Sequence, residues 1–193
     1  MRINAMMEPS DENLNHFLNT GPYVTDRLQV NTIKLYADGA LGSRGAYLLA
    51  DYSDSPGNRG LLMNEAPYFE TICRKAFESN FQVATHCIGD GANRFILEIY
   101  GKFLEGKNDR RWRIEHAQIV HPDDLVLYSK YAVIPSVQAT HATSDMFWAD
   151  ERLGSERVKS AYAYQEVLAL NGCLPNGTDF PIEDISPLKT YSA

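Results

Sequence analysis

The sequence predicts an α/β domain built on a parallel sheet, and three observations predict it. Six short apolar, β-branched runs alternate with segments of helical hydrophobic period along the chain. Asp38, His86, His116, Gln138, His141 and Asp179 fall at or just beyond the C-terminal ends of those runs. In a (β/α)8 barrel that rim carries the active site, and in an open sheet ligands bind outside the same strand ends. Finally, 193 residues with 44% hydrophobic and 22% charged side chains suffice for one domain with a sizeable core, and they exclude a disordered chain.

Each element has a local reason. Arg2 to Met7 is a short apolar run. Ser10 is placed to cap a helix carrying Leu14, Phe17 and Leu18 on one face, which Thr20-Gly21-Pro22 ends. Leu28 to Ala37 is a strand, and the Gly/Ser/Asp-rich stretch from Asp38 to Gly60 is too long for a passive connection. Asn64 is expected to cap a helix with Phe69, Ile72, Cys73, Ala76 and Phe77 in register. Phe81 to His86 is the third strand; Asp90 caps a helix burying Ala92, Phe95, Ile96, Ile99 and Phe103. Trp112 to Gln118 is a strand, His121-Pro122 opens a short helix, and Ala132 to Gln138 is a strand. A second long loop, Ala139 to Ser155, precedes a helix ending at Asn171-Gly172. Cys173 to Thr178 is the last strand, and Ser186 caps the last helix.

Composition narrows the function. With 18 basic and 25 acidic side chains the net charge is −7, and no Lys/Arg cluster offers a nucleic-acid footprint. No apolar run approaches the ~20 residues that span a bilayer, and MRINAMMEPS lacks a signal-peptide core. Three scattered cysteines make neither a disulfide framework nor a Cys-type zinc site. The expectation is a reduced, cytoplasmic domain acting on a small molecule, without nucleic-acid or membrane partners.

The chemistry rests on few side chains. His86 and His116 end neighbouring predicted strands, and imidazoles converging there suit a borderline-soft divalent ion; singly, each reads as well as a structural histidine. Asp179, in NGTDFP, is either a turn aspartate or a carboxylate that ligates metal and moves a proton. Lys34 lies mid-strand, where burial requires a carboxylate partner or a lowered pKa. Cys87 should point away from His86, because adjacent strand residues face opposite sides. IGDGAN is no dinucleotide fingerprint, and no Gly-rich first βα turn supports a nucleotide-binding module. His16 and His121 read as solvated or structural.

The blocks IKLYADGALGSR, VATHCIGDGA, RIEHAQIV, PSVQATH, DERLGSERVKSAYAY and NGTDFPIEDISP, in that order, resemble the metal-dependent amidohydrolase superfamily. The nearest branch is amidohydrolase family 3, the YtcJ-like group. The resemblance implies a TIM-barrel hydrolase that cleaves non-peptide carbon–nitrogen bonds, amide or formamide, with water activated at one or two divalent ions, usually zinc. It places His86 and His116 as metal ligands and Asp179 as ligand and general base. Lys34 matches a lysine that is carboxylated in this superfamily to bridge two metals. Asp38, Arg44 and His141 match motif positions near the substrate pocket.

The resemblance also implies a departure. The first-strand H-x-H pair of the family is absent, so residues 1–193 correspond to a partial barrel, strands three to eight of eight, without the flanking β-domain. A complete barrel takes ~250 residues. The exposed strand edges of such a piece would favour self-association into a homo-oligomer. The expectation for the chain alone is weak zinc binding without useful turnover. The alternative reading is a non-catalytic truncated barrel that binds a partner or small ligand.

Overall fold

The computed structural model describes residues 1–193. Its sheet contains β1 (Ile3–Met7), β2 (Tyr23–Val24), β3 (Leu28–Tyr36), β4 (Gln82–Cys87), β5 (Arg113–His116) and β6 (Ile134–Ser136). The order is β1-β3-β4-β5-β6 with every pair parallel; β2 adds to β3 antiparallel. Between the parallel strands run α1 (Asp11–Thr20), α2 (Ala66–Glu78), α3 (Asp90–Tyr100) and α4 (Leu125–Lys130). A parallel pair needs such a crossover, which a hairpin cannot supply. The architecture is the expected α/β fold, an open portion of a barrel-type sheet.

Two segments differ from the sequence expectation. Cys173 to Thr178 forms no strand; it meets β6 through a single parallel bridge, Val137 to Asn176. Val137 N–H donates to the Pro175 carbonyl and Gly177 N–H to the Val137 carbonyl, both at 2.9 Å. Pro175 has no N–H to extend the ladder, and Gly177 adds no side chain to pack. The expected loop from Ala139 to Ser155 instead holds α5 (Ala139–Asp145) and the start of α6 (Ala149–Arg157). The Thr, Ser and Asp of α5 are poor helix formers, so propensity hides it. Beyond these lie α7 (Tyr164–Asn171) and α8 (Pro187–Ser192).

Helix starts follow local chemistry with two exceptions. Ser10 accepts from Asn13 N–H at 3.2 Å and Ser186 from Lys189 N–H at 3.4 Å. The cap of α2 is Glu65 rather than Asn64, and that of α3 is Gly89. Asp90 is instead the first residue of α3, where its carboxylate accepts from Leu49 and Gly91 N–H groups.

The sheet has two chemically different faces. Ile33, Leu35, Val83, Cys87 and Ile114 point outwards into the main core, against Phe69, Ile72 and Ala76 of α2 and Ile96 and Tyr100 of α3. Trp112 is fully buried there, its indole N–H on the Phe81 carbonyl at 3.0 Å. Each large side chain so buried contributes about 1.5–3 kcal/mol. The other face carries Lys34, Ala84, His86, Arg113 and Glu115, paired in register as Lys34–Ala84, Tyr36–His86 and His86–Glu115. Arg113 Nε meets Glu115 Oε1 at 2.5 Å, so the polar face satisfies its own charges. No helix is long and apolar enough to cross a membrane.

Candidate metal and substrate site

A cavity of about 440 Å³ opens at the C-terminal ends of β3, β4 and β5. It is lined by Lys34, His86, His116, His141 and Asp179, together with Leu41, Ile88, Gln118, Asp145 and Trp148. A larger hollow of about 620 Å³ lies against α2 and the segment after α3; no strand contributes to it. The strand-end cavity is the one that gathers His86, His116, His141 and Asp179.

His86 and His116 come together with ring centroids 4.5 Å apart, and His141 stacks on His116 at 5.9 Å. Strand alternation alone would not do this. In the β4–β5 register His116 pairs with Cys87, whose side chain faces the core. His116 has φ 79° and Ala117 φ 45°, left-handed values that a non-glycine residue rarely adopts. This break in the pleat turns the His116 ring onto the His86 face. Such strain persists only where the surroundings enforce it, and it concentrates at functional sites.

Burial biases both imidazoles towards the neutral form. Gln138 Oε1 lies 2.8 Å from His116 Nδ1, which fixes that nitrogen as the donor and leaves the Nε2 lone pair free. Burial lowers the pKa of His86 to about 3, with the charges of His116 and Lys34 adding to the effect. Burial also lowers the pKa of His116, against the pull of Gln138. His86 Nε2 and both ring nitrogens of His141 are buried without a hydrogen-bond partner. An orphaned buried polar atom costs about 1–3 kcal/mol, so three of them in one cavity mark a place built for a ligand.

The remaining sequence candidates divide. Lys34 is half-buried, and burial lowers its pKa against the attraction of Glu115 and, more weakly, Asp179. Asp179 lines the cavity from an exposed position with φ 51°. No three His, Cys, Asp or Glu side chains close into a ready-made metal cluster.

Asp38 and Arg44 do not line the cavity. The buried Asp38 carboxylate accepts backbone N–H groups of Tyr47 (2.9 Å), Ile88 (3.0 Å) and Gly89 (2.9 Å). Burial raises its pKa to about 7, with those donors pulling it down. Its Oδ1 lies 3.6 Å from His86 Nε2, beyond hydrogen-bond reach. The Arg44 guanidinium is held by Asp54 through two bonds, of 3.0 and 2.7 Å. Cys87 is fully buried and its thiol pKa is pushed well up, which makes it inert.

Sequence reasoning missed Gln118, Asp145 and Trp148. Asp145 sits four residues after His141 on α5 and so shares its face. That spacing is a usable signal once the segment is known to be helical.

Comparisons with known proteins show the family and the fold. The model of the amidohydrolase family matches residues 1–193. Protein LONG AFTER FAR-RED 3 of Arabidopsis thaliana is 37% identical over 90% of this chain, and YtcJ of Bacillus subtilis (strain 168) is 33% identical over 88%. The chain spans 30% and 31% of those relatives. Among solved structures, an uncharacterized metal-dependent hydrolase from Pyrococcus horikoshii OT3 superposes with a TM-score of 0.88 at 34% identity. It covers 98% of this chain and 38% of its own. With its 193 residues matched throughout by the family model, this YtcJ-like chain belongs to the amidohydrolase family.

Proposed function

We propose that these residues form part of the active site of a metal-dependent hydrolase that cleaves a non-peptide carbon–nitrogen bond, amide or formamide, in a small molecule. The observation that carries the reading is the His86–His116 pair: two neutral imidazoles on one face, with Gln138 freeing His116 Nε2. A zinc-type ion is suited to this donor set, with His86 and His116 as ligands and Asp179 as the acidic partner across the cavity. When bound, such an ion polarises a carbonyl and lowers the pKa of water towards ~7.

The chain's own groups then have separate tasks. Asp179 accepts the proton of the attacking water and returns it to the leaving nitrogen. His141, with both nitrogens unpaired, meets the polar atoms of the substrate. Lys34, made more easily neutral by burial, is the amine that carboxylation would convert to an anionic ligand.

The test is elemental analysis of purified protein after exposure to zinc and dialysis, followed by assays with N-acyl and formamide substrates. The unaltered protein should take up more zinc than His116→Ala. In the intact enzyme Asp179→Asn should keep much of the metal and lose nearly all turnover. Zinc uptake by His86→Ala and His116→Ala equal to that of the unaltered protein would refute the ligand assignment. Turnover unaffected by Asp179→Asn would refute the proton-transfer role.

A further inference from the structure

We infer that Asp145 is a specificity-determining residue that seats a protonated amine, or another strong N–H donor, of the substrate. The inference rests on the cavity being the substrate site but needs no bound metal. Asp145 is the last residue of α5 and lines the cavity with His141. One carboxylate oxygen, Oδ2, accepts from the Tyr162 hydroxyl at 2.6 Å and from Gln118 Nε2 at 3.0 Å. Tyr162 is itself anchored, its backbone N–H on the Gln118 carbonyl at 2.7 Å. The carboxylate is therefore held in one orientation before any ligand arrives, which lowers the cost of binding.

What remains is an acceptor without a donor. Asp145 Oδ1 takes no hydrogen bond from the protein, and no lysine or arginine pairs with the carboxylate. The nearby arginines are engaged elsewhere: Arg152 pairs with Asp54, and Arg157 donates to the carbonyls of Ala50 and Asp51. Two further acids, Asp179 and Glu183, line the same cavity; Glu183 accepts from the Ser144 hydroxyl at 2.8 Å. Lys34, the cation that also lines the cavity, makes no ion pair with Asp145, so a half-buried carboxylate with a free oxygen favours a ligand cation at that oxygen.

The apolar part of the lining defines the rest of the ligand. Leu41, Ile88 and the Trp148 ring are the apolar lining. Trp148 packs over Gly42 so closely that a Cβ there would lie 3.2 Å from the ring. The cavity thus suits a small molecule that carries both a positively charged nitrogen and an apolar or aromatic body.

Trp148 provides the readout, because Trp112 is buried in the core and does not line the cavity. Protein freed of metal by chelation is titrated at pH 7 with benzylamine, benzyl alcohol and benzoate, following tryptophan fluorescence. Chelation excludes coordination of the amine to a metal. Trp148→Phe, which should lose the response, checks the origin of the signal. Benzylamine should bind about tenfold more tightly than benzyl alcohol, the scale of a charge-assisted hydrogen bond, and benzoate more weakly than either. Asp145→Asn should erase the preference for the amine while keeping the affinity for the alcohol.

Equal affinity for amine and alcohol overturns the inference, as does an absent response to benzylamine. A preference that survives Asp145→Asn but vanishes in Asp179→Asn or Glu183→Gln overturns it too. If Asp145→Asn does not fold, the three probes on the unaltered protein still decide. Loss of zinc binding, by contrast, would count against the proposed hydrolase reading alone.

Discussion

Replacing Asp38 by alanine should destabilise the protein by about 2–4 kcal/mol, because its carboxylate joins three backbone donors from two segments. Oδ2 accepts from Tyr47 and Gly89, and Oδ1 from Ile88, all within 3.0 Å. Tyr47 belongs to the long loop after β3, while Ile88 and Gly89 form the turn from β4 into α3. Alanine leaves all three N–H groups without their acceptor, at about 1–3 kcal/mol for each that stays dry. Two effects reduce the sum. Tyr47 is only partly buried, and burying the carboxylate is itself unfavourable, as its raised pKa shows. Asparagine offers a graded control. Its oxygen can serve the two donors on the Oδ2 side, but its amide then opposes Ile88 N–H, so the loss should be about 1–2 kcal/mol. Urea unfolding followed by fluorescence and far-ultraviolet circular dichroism measures both changes at constant m. An alanine variant within about 1 kcal/mol of the parent, or an asparagine variant worse than alanine, would refute this account of the carboxylate. The loop also carries Leu41 and Gly42 into the cavity wall, so the alanine variant should weaken ligand binding as well.

Two further predictions concern the histidines. Gln138→Ala removes the acceptor that fixes the His116 tautomer and should lower zinc affinity about 10–100-fold, measured by competition with a chromogenic chelator. Unchanged affinity would show that Gln138 does not orient the ring. For His86 the folded pKa of about 3 lies below the ordinary 6.5. Between those values the unfolded chain takes up a proton that the folded chain does not, so stability falls as pH falls through that window. The slope is at most about 1.4 kcal/mol per pH unit. From pH 7 to pH 5, the metal-free parent should therefore lose up to about 2 kcal/mol more than His86→Gln in urea unfolding. Parallel pH profiles would refute burial of a neutral imidazole.

The sequence by itself determined the alternation of strands and helices, because periods of 2 and 3.6 are written locally in the apolar residues. It determined that His86 and His116 end neighbouring strands and that Ser10 and Ser186 start helices, since these depend on residues within one turn. The order of strong motif blocks carried the family as well. Tertiary structure decided the rest. His116 joins His86 only because its backbone adopts φ 79°, an arrangement that strand alternation forbids and that the surrounding fold must enforce. Asp38 stands among chemically suggestive neighbours in sequence, yet it binds N–H groups up to 51 residues away and supports the site from outside the cavity. Arg44 is drawn aside by Asp54, and Asp145 enters the cavity on a helix whose Thr and Ser residues disguise it. The difference is one of range: periodicity and capping are short-range and visible in the chain, whereas a carboxylate's partner is chosen by which distant donors folding brings within 3 Å.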